Sequence, residues 1–99
     1  MRRAARVDDN HADVVSALRA VGCGVLSLAA LGRGAPDIMC SVGRRVLTME
    51  IKDGQKVPSK QKLTQAEQAW AASWQGEHYL VSSVDEALAI VGEIRRGLR

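Results

Sequence analysis

The stretch from Asp37 to Lys52 constrains the fold more than any other part of the chain, because two strand-like runs flank a Gly43-Arg44 pair. A two-residue hairpin loop closed by a type II′ turn requires glycine at its first central position. That turn would set the register, with Val42 facing Arg45, Cys40 facing Leu47 and Ile38 facing Met49. Strand side chains alternate, so this largely apolar set shares one face and belongs to a core. The opposite face gathers Asp37, Ser41, Thr48, Glu50 and Lys52, with Asp37 directly across from Glu50. Cross-strand neighbours have Cβ atoms about 4.5 to 5.5 Å apart, close enough for both carboxylates to reach one cation and, without it, to repel. Two alternatives stay open. The polar face of an ordinary amphipathic hairpin meets water, with Lys52 partly neutralising the acids, and a three- or four-residue loop would shift the register.

The rest of the chain supplies a setting for that hairpin. With 99 residues it is read as a single domain over residues 1–99, and 46% apolar with 25% charged residues is the composition of a globular protein. Phe is absent and aromatics make up 3%, so the core is expected from Val, Leu, Ile, Ala and Met, which leaves little scope for a generous pocket. Asp8, Asp9 and Asn10 are N-cap types, and Val14, Val15, Leu18 and Val21 recur at helical spacing, predicting a helix near residues 10–21. The apolar run from Cys23 to Leu31 reads as a buried strand followed by a Gly-Arg-Gly turn at residues 32–34, and residues 53–62 read as a loop. Thr64 with Glu67 forms a capping box that opens a helix to about Trp74. Trp70 and Trp74 are taken as core residues. His78 to Ser82 reads as a strand, and Ser83 with Glu86 as a second capping box before a helix carrying Val84, Ala87, Leu88, Val91 and Ile94. The expected order is α-β-β-β-α-β-α, with basic, flexible ends at residues 1–7 and 96–99.

Fourteen Lys plus Arg against eleven Asp plus Glu give a formal +3, which permits a polyanionic partner without requiring one. Lys52, Lys56, Lys60 and Lys62 lie within one short stretch, read either as a solvated loop or as a nucleic-acid surface. Two cysteines, Cys23 and Cys40, without zinc spacing indicate neither a disulfide framework nor a structural metal site, and fit a reducing, cytoplasmic setting. No signal peptide and no membrane-spanning run is read in the chain.

Phosphodiester hydrolysis uses a cation to polarise the phosphate and to lower the pKa of the attacking water, and hard oxygen ligands suit magnesium. Asp37, Glu50 and the backbone carbonyl of Ile51 offer such oxygens, and Lys52 offers a positive charge on the same face. Gly34-Ala35-Pro36-Asp37, followed by Glu50-Ile51-Lys52 at the end of the next strand, resembles the PD-(D/E)XK nuclease signature. More narrowly, the stretch from Asp8 to Ala87 resembles the stand-alone VRR-NUC branch, a virus-type replication-repair nuclease domain. The matching pieces are Asp8-Asp9-Asn10, Leu18-Arg19 with Gly22, Gly34 to Asp37, Glu50 to Gly54, Pro58-Ser59, Leu63-Thr64, Trp74-Gln75-Gly76 and Ser83 to Ala87.

The resemblance implies an α/β (α+β) restriction-endonuclease-like core around a central mixed sheet. It assigns Asp37, Glu50 and Lys52 to catalysis, and Asp37, Glu50 and the Ile51 carbonyl to Mg2+ or Mn2+. Asp13 is the nearest match to the acid that family members place in the first helix, and is otherwise a solvent-facing residue. His11 stands where the family often has Gln, and Glu67 aligns with a frequent Gln of the second helix, where capping already explains it; neighbouring Gln68 is a weak substitute. Lys56, Lys60 and Lys62 would border the active face and clamp phosphates, with Arg33 as a further candidate. The implied activity is metal-dependent endonucleolytic cleavage of branched DNA, such as four-way (Holliday) junctions, by a symmetric homodimer in the cytosol of a bacterium or phage-infected host. The alternative is a branched-DNA-binding module, or an inactive nuclease-fold subunit of a repair or replication complex.

Overall fold

A computed structural model describes residues 9–99, and readings that fall on residues 1–8, Asp8 among them, lie outside it. The described residues form a mixed α+β fold in which helices cover a four-stranded sheet. In chain order the elements are α1 (His11–Ala20), β1 (Gly24–Ser27), a 3₁₀ turn (Ala29–Leu31), β2 (Ile38–Val42), β3 (Arg45–Ile51), α2 (Pro58–Gln61), α3 (Gln65–Ser73), β4 (Glu77–Val81) and α4 (Val84–Arg95). The sheet order is β1-β2-β3-β4, antiparallel between β1 and β2 and between β2 and β3, parallel between β3 and β4.

The β2–β3 hairpin has the register its turn predicts: Val42 pairs Arg45, Cys40 pairs Leu47 and Ile38 pairs Met49. Gly43 takes φ 62°, while Arg44 stays outside the positive-φ set, as a type II′ turn demands. Ile38, Cys40, Val42, Leu47, Met49 and Ile51 join Val14 and Leu18 of α1 and Ala87, Ile90, Val91 and Ile94 of α4 in one aliphatic core. Each fully buried aliphatic side chain there contributes about 1.5 to 3 kcal/mol of transfer free energy.

Four expectations change. The run after Cys23 is a short edge strand and a 3₁₀ turn rather than a buried strand; Leu26 is 60% exposed, because β1 pairs on one side only and the chain must turn back to deliver Asp37 to β2. Residues 53–62 hold the one-turn helix α2, with Pro58 at its start, where proline's fixed φ suits a helix. The order therefore gains an element between β3 and α3. Asn10 takes the N-cap position of α1 without a side-chain cap bond; its Nδ2 instead donates to the carbonyls of Lys52 (3.0 Å) and Ser82 (3.3 Å), pinning α1 to the ends of β3 and β4. Ser83 caps α4 by accepting from the Glu86 N–H, but the Glu86 carboxylate turns to the N–H and hydroxyl of Ser82, so only half of the second capping box forms. At the C-terminus, Arg99 donates to Glu93, its carbonyl accepts from Arg45, and its guanidinium lies over Tyr79. Among the described residues no helix is long and apolar enough to cross a membrane.

Candidate active site

The end of the hairpin's polar face that carries Asp37, Thr48, Glu50 and Lys52 is buried rather than solvated, while Val46, nearer the turn, is exposed. Thr48, Glu50 and Lys52 alternate with the core residues of β3; Glu67 of α3 covers Lys52 and Glu50, and the Thr48 hydroxyl meets the Glu77 carbonyl and His78 of β4. Asp37 enters this face from the buried Pro36, with its N–H donating to the Met49 carbonyl at 3.1 Å and its own carbonyl accepting from Leu28 at 2.7 Å. Asp37 thus bonds the residue that already pairs with Ile38, so the ladder ends irregularly there, and its carboxyl meets that of Glu50 in a shared cavity. Asp37, Glu50 and Lys52 are 9%, 4% and 9% exposed and share a cavity of about 140 Å3, room for ions and water but not for a nucleobase. Ala29, Gly32, Gly34 and Ala35 form one wall, and Thr64 and Glu67 at the start of α3 form another. Gly34 is required there: at φ 81°, a Cβ on it would lie 2.2 Å from the Ala66 carbonyl oxygen.

Hydrogen bonds hold each charged group. Asp37 Oδ2 accepts from the Ile51 N–H at 2.6 Å. The N–H and carbonyl of one strand residue point to the same edge, so the Ile51 carbonyl is directed past the end of β2, toward Asp37, and Ile51 lines the cavity. Lys52 Nζ donates to Glu67 Oε1 at 2.9 Å and lies 3.9 Å from Glu50 Oε2. The same Glu67 oxygen accepts from the Thr64 N–H at 2.8 Å, completing the expected capping box with the Thr64 hydroxyl.

Burial pushes the Glu50 carboxyl up to about 10, and the charge of Asp37, with hydrogen bonding to Asp37 and Glu67, adds to the effect. Burial raises Glu67 as well, but hydrogen bonds from Lys52 and the Thr64 N–H, with a further one to Glu50, outweigh it and hold that carboxyl below its ordinary value. Burial and the Asp37 charge thus both favour a proton on Glu50. Among the described residues, no group of three or more His, Cys, Asp or Glu is arranged to hold a metal ion. The donor set at hand is two carboxyls and a carbonyl lining one cavity, all hard oxygens suited to magnesium or manganese. The residues fit such an ion.

The other candidates are placed differently. Asp13 is exposed on α1 and does not line the cavity. His11, half-buried, lines a separate groove between α1 and β1 with Arg19 and Ser27. Lys56, Lys60 and Lys62 are exposed on and around α2, Arg33 is exposed in the turn carrying Gly32 and Gly34, and Gln68 donates back to the Leu63 carbonyl. Glu67 is the residue whose part at the site the sequence left unread: its capping signature was visible, its contact with Lys52 was not. Trp70 and Trp74 are not core residues. They stack with centroids 4.9 Å apart, Trp70 lies 5.2 Å from His78, and Trp74 is 42% exposed. No family model, curated protein or solved structure matches the chain, so the site's own geometry carries the functional argument.

Proposed function

We propose that the chain is a divalent-metal-dependent DNA endonuclease of the PD-(D/E)XK type, built like the stand-alone VRR-NUC domain and acting on branched DNA such as four-way junctions. One observation carries this reading: two buried carboxyls, Asp37 and Glu50, and the Lys52 ammonium share one small cavity at the end of β3. Asp37, Glu50 and the Ile51 carbonyl would hold Mg2+ or Mn2+. When bound, such an ion polarises the phosphate and lowers the pKa of water.

The remaining work falls to the chain. Lys52 presents its ammonium beside the acid pair, where it stabilises negative charge building on the phosphate oxygens as water adds to phosphorus and the bond to the leaving sugar oxygen breaks. Glu67, anchored by the helix cap, fixes the direction of that ammonium. The reading is direct hydrolysis by water, without a covalent intermediate. Lys56, Lys60 and Lys62 offer phosphate contacts on the α2 side. One active face per chain suits a symmetric homodimer for paired cuts, and the cytosolic setting is kept with it.

The test is cleavage of linear duplex, single strand and four-way junction in magnesium, manganese or chelator. Product that requires metal and is greatest on the junction supports the reading. Binding without product in any metal favours the non-catalytic module instead. A monomeric mass by light scattering at assay concentration removes the dimer.

A further inference from the structure

We propose that Arg33 is a phosphate-contacting residue at the mouth of the cavity, held there by a backbone conformation that lowers the stability of the fold. The inference rests on the nuclease reading and extends it to a specific contact. The Ala35 N–H donates to the Gly32 carbonyl at 3.1 Å, closing a four-residue turn whose central residues, Arg33 and Gly34, have φ 58° and 81°. Those are the φ values of a type I′ turn, whose central positions Gly, Asn and Asp fill with least strain. An arginine there sets its Cβ against its own backbone. Arg33 is the single non-glycine residue with positive φ among the described residues.

The turn is closely packed at Gly34. Gly34 is wedged against the Ala66 carbonyl at the start of α3, and Gly32 and Gly34 wall the cavity that holds Asp37, Glu50 and Lys52. Arg33 itself is exposed and makes no hydrogen bond or ion pair among the described residues. Arg19 donates to the Val25 carbonyl, Arg45 to Glu77, Arg95 to the Val21 carbonyl and Arg99 to Glu93, whereas the side chains of Arg44 and Arg96 share with Arg33 the lack of such a bond but not its positive φ. A strained arginine that contacts nothing in its own fold returns nothing to stability, and strain of this kind concentrates at binding sites. Arg33 stands four residues before Asp37, so their Cα atoms lie within about 14 Å. An extended guanidinium at that range reaches a phosphate beside the one at Lys52 and can grip two of its oxygens. With Lys62 just ahead of Thr64 on the far wall, a strand crossing the acidic cavity would meet a cation on either side.

The experiment pairs thermal melts with fluorescence anisotropy of a labelled four-way junction in calcium buffer at several salt concentrations, using the full chain. Arg33→Gly is expected to raise Tm by about 2 to 6 °C. It should also weaken binding about 5- to 10-fold and reduce the slope of log affinity against log salt by about 1. Arg33→Lys, which keeps the charge and the strain, is expected to keep the wild-type Tm and slope. Arg33→Gly with unchanged affinity and slope overturns the inference alone, and so does Arg33→Gly with a lowered Tm. A wild-type chain with no salt-dependent binding overturns the nuclease reading together with it.

Discussion

From Leu47 to Ile51 both faces of β3 are buried, for opposite reasons. On one, Leu47, Met49 and Ile51 pack against aliphatic side chains of α1 and α4. On the other, Thr48 bonds to β4, and Glu50 and Lys52 lie against Glu67 of α3, a helix that contributes no buried residue of its own. The apolar face gains free energy from water exclusion. The polar face spends some of it, since desolvated carboxyls beside one another are costly even with Lys52 and several hydrogen bonds at hand. Stability and activity should therefore separate by face.

The largest expected separation comes from Asp37→Asn. The isosteric amide keeps an oxygen for the Ile51 N–H, removes a charge beside Glu50, and is expected to leave the urea midpoint unchanged or higher while cleavage falls about 10³-fold, some 4 kcal/mol of transition-state stabilisation. Leu18→Ala, on the apolar side, reverses the pattern: a loss of about 2 to 5 kcal/mol in denaturant titration, with the remaining folded protein cutting at the wild-type rate. Gly34→Ala breaks the division between faces, because its Cβ pushes on the Ala66 carbonyl. A loss of about 1 to 3 kcal/mol together with reduced cleavage is expected.

Glu50→Gln sharpens the comparison through pH. A carboxyl whose folded pKa lies above its unfolded value holds its proton more tightly in the folded chain. Its contribution is complete below the ordinary value of 4.5 and drains away as pH rises toward about 10. Metal-free wild type should lose stability across that window at up to about 1.4 kcal/mol per pH unit, and Glu50→Gln should flatten the slope in melts from pH 5 to 9. Magnesium or manganese should raise the wild-type Tm more at pH 8 than at pH 6. The smallest effect belongs to Thr64→Ala, about 1 kcal/mol by denaturant titration from the lost cap of α3.

The apolar face was the legible one. Gly43 restricts the hairpin to few turn types, and alternation then assigns every residue from Ile38 to Ile51 to a side. The same alternation put Asp37 and Glu50 on one face, and the two carboxyls do meet there, although the regular register ends at Ile38 and Met49. The covering of the polar face was not legible, because α3 carries no apolar stripe; it is seated by Glu67 on Lys52 and by Gly34 under Ala66, contacts between residues far apart in sequence. The tryptophans were misread for the same cause: size and spacing favour a core, but α3 covers a polar surface, and the two rings stack on one another beside His78. β1 was misplaced because an apolar run does not reveal whether a strand pairs on one side or two. Asn10, a good cap by type, instead ties α1 to β3 and β4 through carbonyls that only the fold brings near.

The central claim, that the buried acids and Lys52 form a hydrolytic centre, is tested most directly by single-turnover cleavage of a labelled four-way junction with wild type and Lys52→Gln at equal folded concentration. The account predicts product from wild type in magnesium and none in chelator, with the variant at least about 10²-fold slower. Equal rates for the two proteins, or product that persists in chelator, would contradict it.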